Sequence, residues 1–430
     1  MLKKIKKKIF DLDRFIFKKF GSDKTTKFLE NTKEAQIIFS HLNKIGEESV
    51  IRFVGGCVRK SLSGEIIDDI DLATSLSPEE VKQKLTNNKI KVLDTGIKHG
   101  TVTAIINNKK FEITTLRKDV SSDGRHAEVY FNKNWNEDSL RRDFTINAIY
   151  ADIEGRLFDP LNGINDLKNG KIKFIGSPEK RIQEDYLRIL RYFRFFIQYS
   201  YIDHDQEVIS SIKRNINGIN KISNERIFDE LNKIIKLKNF SDVFFNEHSK
   251  EIFLNIFPIF KYYERLKILE KLNKNIRNKY DNILILALLI IDHSDSYEYF
   301  CHKYKTSNQI KKRLKIISKN YEILKNKKFY NKENIKKLIY SLNKDHVIDL
   351  LLFSLCVVKK IDVSDIEELI KYIIEYKIPK FPVSGEHLKQ YGYVTGEILG
   401  EKLKFLEEKW IENNFVIDKK IIKKTLGKPK

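Results

Sequence analysis

Glycine is missing from residue 219 to residue 384, although the chain holds 18 glycines in all. Only Pro258, Pro379 and Pro382 interrupt that stretch as prolines. A run so poor in both breakers, with apolar residues at three- and four-residue spacing, predicts helix after helix. Ile283–Ile291 and Val347–Val358 read as its buried members. Cysteine is scarce as well. Cys57, Cys301 and Cys356 stand alone, with no C-x-x-C and no Cys/His cluster. That argues against a zinc site and a disulfide scaffold, and fits a reducing cytoplasm. Long hydrophobic runs are absent too. Ile283–Ile291 is too short to span a bilayer, so no membrane is expected as a partner. The start, MLKKIKKKIFDLDRFIFKKF, lacks the apolar core and cleavage site of a signal peptide. It carries Asp11 and Asp13, unlike an acid-poor transit peptide, and reads as a basic surface helix in an N-terminal extension over residues 1–34.

Acidic residues are the minority: 59 against 81 Lys+Arg, a formal charge of +22. A polyanion such as RNA or DNA is the natural partner, though a Lys-, Ile- and Asn-rich composition yields the same sign without any binding. At 430 residues the chain exceeds one compact domain. Nothing points to an obligatory protein partner. Up to about residue 160 the pattern is mixed. Val50–Val54, Thr101–Asn107, Lys110–Leu116 and Ile146–Asp152 read as strands. Ser77, Pro78 and Glu80 spell a helix start.

The most informative segment is VGGCVRKSLSGEIIDDIDLAT, Val54–Thr74. If Ile66–Ala73 is a strand, alternation puts Asp69 and Asp71 on one face, with Ile70 and Leu72 turned to a core. Two such carboxylates repel, and a divalent cation is the usual compensation; oxygen-only ligands suit Mg²⁺. Gly55, Gly56 and Arg59 suit a phosphate chain. Together they read as metal-assisted phosphoryl or nucleotidyl transfer. D-x-D by itself is also common at solvated strand ends.

Three more segments stand out further along the chain. In RRDFTINAIYAD, from Arg141, two guanidinium groups can clamp a triphosphate. Asp143 can hold one Arg or orient a sugar, and Asn147 offers an amide; a surface Arg pair before a buried strand is the plainer reading. DPLNGINDL, Asp159–Leu167, reads as a structural hinge, with Asp166 able to cap the residues after it. In EDYLRILRYFRF, Glu184–Phe195, helical spacing makes Asp185 and Arg188 neighbours, with Arg191 and Arg194 at the same step. Arg194 would point elsewhere, toward triphosphate or RNA. An accepting carboxylate beside a donating guanidinium can read the edge shared by cytosine and adenine but not by uracil or guanine. A plain surface ion pair is the commoner fate of such residues.

In this order the segments resemble the class II tRNA nucleotidyltransferases, the CCA-adding enzymes, and the related bacterial poly(A) polymerases. ISNERIFDEL, from Ile222, resembles their neck motif, and PKFPVSGEHLKQYGYVTG, from Pro379, their tail segment. The resemblance covers about residues 35–235 well. It implies an α+β chain: a polymerase-β-like nucleotidyltransferase head with a small mixed sheet, then an all-α neck, body and tail. The expected division is head 35–160, neck 161–250, and body with tail 251–430. It further implies that Asp69 and Asp71 hold catalytic Mg²⁺, with Glu112 a third carboxylate. Gly55, Gly56 and Arg59 would line the triphosphate path, and Arg142, Asp143 and Asn147 would meet triphosphate and ribose. Asp185 and Arg188 would read the base, with Arg191 and Arg194 nearby.

The implied activity is template-independent addition of CCA to tRNA from CTP and ATP, in the cytoplasm. TGIKHGTV, from Thr95, resembles the CCA-adding form, and Arg117–Glu128 the loop that switches from C to A. The alternatives are a poly(A) polymerase, a partial CC- or A-adding enzyme, and an inert RNA-binding module. Two positions depart from the pattern: Lys60 stands where the family usually has Asp, and Tyr186 replaces a commoner small residue or Pro. His204-Asp205 is a lone HD dipeptide and reads as a surface turn.

Overall fold

In a computed structural model of the chain, the described residues are 32–43, 48–97, 100–122, 127–359 and 361–417. The basic start and the KKIIKKTLGKPK tail lie outside them, as does part of TGIKHGTV. Side chains 119–129, most of the Arg117–Glu128 segment, are also outside the description. The chain forms two compact units, Met1–Ile252 and Phe253–Lys430.

The first unit is built on a seven-stranded mixed sheet. Its strands are β1 (Ile51–Val54), β2 (Asp71–Thr74), β3 (Lys91–Gly96), β4 (Thr101–Ile106), β5 (Lys109–Thr115), β8 (Tyr150–Ala151) and β9 (Leu157–Phe158), in the order β3-β4-β5-β2-β1-β8-β9. Two further strands, β6 (Arg117–Ser122) and β7 (Ala127–Phe131), pair as a separate ribbon. β2 and β5 run parallel; the other pairs are antiparallel. Alternation sorts the side chains. Phe53, Leu72, Ile113 and Val102 are register neighbours and fully buried. Phe53 meets Phe39 of helix α1 (Lys33–Leu42), ring centroids 4.8 Å apart. Helix α2 (Gly56–Leu62) leaves β1 through Gly55, whose φ of +69° favours glycine. Helix α3 (Pro78–Asn87) opens with the capping box of Ser77 and Glu80 that its sequence predicts.

Two expected strands are shorter. The first begins at Asp71 rather than Ile66, because β1 ends at Val54 and offers no partner further back. In place of Ile146–Asp152 there is a 3₁₀ turn over Thr145–Asn147, then β8. Asp143 sets that turn by accepting from the Phe144 N–H at 2.9 Å and the Asn147 amide at 2.8 Å. Helix α4 (Trp135–Arg141) precedes it.

Helices complete the unit: α5 (Gly163–Lys168), α6 (Pro178–Glu184), α7 (Arg188–Tyr199), α8 (Gln206–Asn215) and α9 (Asn224–Ile235). Asp159 caps α5, accepting from the N–H of Gly163 and Ile164 at 2.7 and 2.9 Å, and Asp166, inside that helix, does not cap the residues after it. Asp166 instead accepts from the Thr145 hydroxyl at 2.7 Å. A second correction concerns His204. It is buried, with Nδ1 2.9 Å from the Tyr192 hydroxyl, Nε2 2.7 Å from the Ser249 hydroxyl, and Phe196 stacked on its ring. The solvent-facing role falls to Asp205, which caps α8.

Every secondary-structure element among the described residues of the second unit is a helix. Its core helices are Asn282–Ile290 and Lys344–Val357, with Leu284, Leu288, Val347, Leu350 and Phe353 fully buried. Each such side chain contributes roughly 1.5–3 kcal/mol by leaving water. No described helix is long and apolar enough to cross a membrane.

Candidate active site

The parallel pairing of β2 with β5 sets Asp71 beside Glu112. Asp69 lies two residues before Asp71, in the segment leading into β2, and is exposed. Burial, then Glu112, and more weakly Asp69, push the Asp71 carboxyl above the usual range, against the pull of Arg142 and Arg59. Crowded carboxylates of this kind gain from a cation, and their all-oxygen donor set fits a hard divalent ion. Among the described residues no three His, Cys, Asp or Glu side chains are gathered as a ready-made cage, so Asp69 and Asp71 would share such an ion with substrate oxygens.

Beside them the diglycine turn brings backbone close to Arg142. A Cβ at Gly55 would sit 3.7 Å from Arg142 Nη1, and one at Gly56 would meet nothing within 4 Å. Protein packing therefore does not demand glycine at 56; free space above it suits close approach by a ligand.

Arg142 belongs to a tight lattice. Its Nη2 donates to Asp138 at 2.9 Å and its Nε lies 3.1 Å from the Tyr150 hydroxyl. Arg141 donates to the other oxygen of Asp138 at 2.8 Å, and Tyr150 donates to Asp138 at 2.7 Å. Burial would raise Asp138, but the two arginines and the tyrosine overcome it and hold it at about 2. Next to this lattice, Arg59 donates to the Asn147 side-chain oxygen and the Asn147 side-chain amide donates to Asp143. Asp143 accepts from Arg191 Nε at 2.7 Å. Burial again works against the charge, and Arg191 with Asn147 keeps Asp143 far below the ordinary range. Phe195 underlies the cluster, its centroid 4.6, 5.6 and 4.2 Å from the guanidinium carbons of Arg59, Arg191 and Arg194.

The structure thus brings Gly55, Gly56, Arg59, Asp69, Asp71, Glu112, Arg142, Asp143, Asn147 and Arg191 into one contiguous region. The base-reading pair differs from expectation. Glu184–Phe195 is not one helix: α6 ends before Asp185, which is extended at φ −153° and accepts from the Leu187 N–H at 3.2 Å in the turn ahead of α7. Asp185 pairs with Arg226 at 2.8 Å, and Arg188 pairs with Glu184 at 2.6 Å. Arg194 turns to the buried Glu230. Tyr186 occupies the space above Gly218, where a Cβ would fall 2.0 Å from its ring.

Sequence reasoning missed Asp138, Tyr150, Arg181, Glu184, Arg226 and Glu230 as partners. Arg181 donates to the carbonyls of Arg141 and Arg142 at 2.6 Å each, fixing the segment that carries both. The signal for Asp138 was present: it stands four residues before Arg142 on helical spacing. Arg226 and Glu230 lie in the segment read as a neck motif, which gave no hint of which residues they hold.

Residues 51–173 match the family described as "Poly A polymerase head domain", and residues 204–263 match "Probable RNA and SrmB- binding site of polymerase A". The chain is 33% identical over 406 residues to "CCA tRNA nucleotidyltransferase 1, mitochondrial" of Mus musculus, covering 91% of this chain and 88% of that protein. It is 31% identical over 404 residues to the "CCA-adding enzyme" of Ligilactobacillus salivarius, covering 91% and 95%. The fold matches the Bacillus stearothermophilus CCA-adding enzyme in complex with CTP, with a TM-score of 0.67, 23% identity, and 89% and 93% coverage.

Proposed function

We propose that this chain, which belongs to the CCA-adding tRNA nucleotidyltransferase family, adds CCA to tRNA 3′ ends from CTP and ATP without a nucleic-acid template. The observation that carries the reading is the pairing of Asp71 with Glu112 beside the Gly55–Gly56 turn and Arg142. The tRNA 3′-hydroxyl attacks the α-phosphorus of the nucleotide in line, the bond to the β-phosphate breaks, and pyrophosphate leaves. Mg²⁺ held by Asp69 and Asp71 would supply the charge that makes the hydroxyl a better nucleophile and neutralises the triphosphate. Glu112 adds negative charge on the same side.

Arg59 and Arg142 face the triphosphate, each pre-set by a partner, Asn147 and Asp138 respectively. Asp143 and Asn147 present the ribose side. Such preorganisation supplies positioning and electrostatics rather than covalent chemistry. Asp185 and Arg188 read the base edge. An incoming C or A would exchange its hydrogen bonds for those with Arg226 and Glu184. Arg191 and Arg194 hold the floor under the nucleotide through Phe195.

We keep the head at 35–160, the neck at 161–250, and the body and tail at 251–430 as the tRNA-gripping part. Binding through phosphates makes tRNA affinity fall with salt. The cytoplasm is the proposed place of action; Cys57, Cys301 and Cys356 are free thiols. The test is nucleotide incorporation with Mg²⁺ on tRNA transcripts ending before CCA, after C and after CC, each with CTP, ATP or both. The expected result is completion to CCA followed by a halt. A stop at CC, a long A tail, or no incorporation would each replace the reading.

A further inference from the structure

The head carries a second basic and aromatic feature that the reaction above leaves unused. A cleft of about 550 Å³ opens beside Arg52 of β1, lined by Lys133, Asn134, Trp135 and Phe158 and flanked by Glu48. Arg52 is out of place: it occupies an inner strand and is only 9% exposed. Its guanidinium carbon lies 4.3 Å from the Trp135 ring centroid and 4.7 Å from that of Phe158. Nη2 donates to Glu48 at 3.0 Å, while Nη1 has no hydrogen-bond partner. Glu48 is 83% exposed, so its hold on Arg52 is screened by water and readily exchanged. A phosphate oxygen could take Nη2 in place of Glu48, while Nη1 stays buried beneath it.

Register places the cleft. Arg52 pairs with Ala73, which shares a face with Asp71. Trp135 meets Tyr150 edge-on at 5.4 Å, and Tyr150 donates to Asp138, which holds Arg142. The cleft therefore lies along the carboxylate face, one aromatic layer from Arg142. A strand whose 3′-hydroxyl sits at the carboxylates has its preceding nucleotides within reach of it. A cation, an exposed lysine and a half-buried indole are the surface that single-stranded RNA favours.

We propose that this cleft is a subsite for the acceptor strand of the RNA substrate. One phosphodiester displaces Glu48 from Arg52, with Lys133 beside it, and the adjoining base packs against Trp135. The proposal rests on the CCA-adding reading and adds to it the residues that seat the strand behind its reacting end.

The chain has two tryptophans, so Trp410→Phe leaves Trp135 as the only one. The full-length variant is titrated with a short RNA ending in CC, and separately with inorganic phosphate. A saturable change in Trp135 emission with RNA is expected, weakened ~5-fold or more by Lys133→Glu. No response to RNA, or an equal response to phosphate alone, overturns the subsite. In parallel, Lys133→Glu and Trp135→Leu are assayed for CTP incorporation into tRNA. The expected result is a ~5-fold higher KM for tRNA with the KM for CTP unchanged. An unchanged KM for tRNA in both variants sinks the subsite and leaves CCA addition standing. Failure of the parent enzyme to add nucleotides would instead overturn the functional reading.

Discussion

Asp71 and Asp143 belong to the same head, and burial by itself would raise both carboxyls. Around Asp71 the next effect comes from Glu112, with Asp69 adding to it, and the group stays raised. Around Asp143 it comes from Arg191 and Asn147, and the group falls well below its ordinary value. Asp143 is the more deeply buried of the two, 8% exposed against a solvent-exposed Asp71, yet it is the one whose carboxyl falls. The sign of the neighbouring charges, not the degree of burial, sets the direction.

The sharpest way to break this contrast is Asp71→Ala. Incorporation of CTP should fall by ~10³-fold or more, since the group that would hold the metal is gone. Affinity for tRNA by filter binding should stay within about twofold. The thermal midpoint should not drop, because a repulsion is removed. Parallel losses of turnover and tRNA affinity would make Asp71 structural.

Asp143→Ala should do the reverse to stability. It leaves Arg191 without its buried partner and Asn147 with an unmet amide, and removal of one partner from a buried pair costs about 3 kcal/mol or more. Denaturant unfolding reads this directly. A variant as stable as the parent would mean that the arginine lattice does not depend on its carboxylate.

His204 supplies a buried group of the third kind, one kept neutral. Burial, with His248 nearby, lowers it from 6.5 to about 4. Below pH 6.5 the unfolded chain takes up this proton before the folded one does. Stability is therefore lost as pH falls from 6.5 towards about 4, and levels off below that for this group. At pH 5 the loss would reach up to ~2 kcal/mol. His204→Gln should flatten the slope between pH 6.5 and 5 in urea titrations, and an unchanged slope would assign it to other groups.

The strand core and the buried helices were legible because apolar periodicity records burial directly, as at Phe53, Leu72 and the Asn282–Ile290 helix. The position of the Asp69–Asp71 segment beside the diglycine turn was legible because both motifs are local, but the shared strand face was not, since the strand begins only at Asp71. What sequence spacing could not show was pairing at a distance. Asp185 looked bound to Arg188, three residues on, but the helix breaks between them and Arg226 takes its place. His204 looked exposed because its partners, Tyr192 and Ser249, are 12 and 45 residues away.

If Asp185 and Arg188 read the base as proposed, that long-range pairing bears on base selection. Exchanging Asp185 and Arg188 places each opposite the wrong partner and the wrong base edge. Incorporation of UTP and GTP relative to CTP and ATP should rise by ~10-fold, the worth of one lost discriminating contact. Unchanged selectivity would remove both residues from the reading of the base.

The smallest effect is expected at Lys60, the position where the family usually carries Asp. Its amine reaches Asp68 and, as the largest influence, lowers that carboxyl. Asp68 thus belongs with the paired carboxylates although it stands next to Asp69. The pair is near the surface, Asp68 being 67% exposed, so Lys60→Ala should cost roughly 0.5 kcal/mol and leave kcat within about twofold. A tenfold fall in kcat at unchanged stability would carry a different lesson. It would mean that Lys60 moderates the charge of the Asp69–Asp71 group, so that the waiting carboxylates lean on an internal cation after all. The division between the two kinds of aspartate would then run through residue 68 rather than beside it.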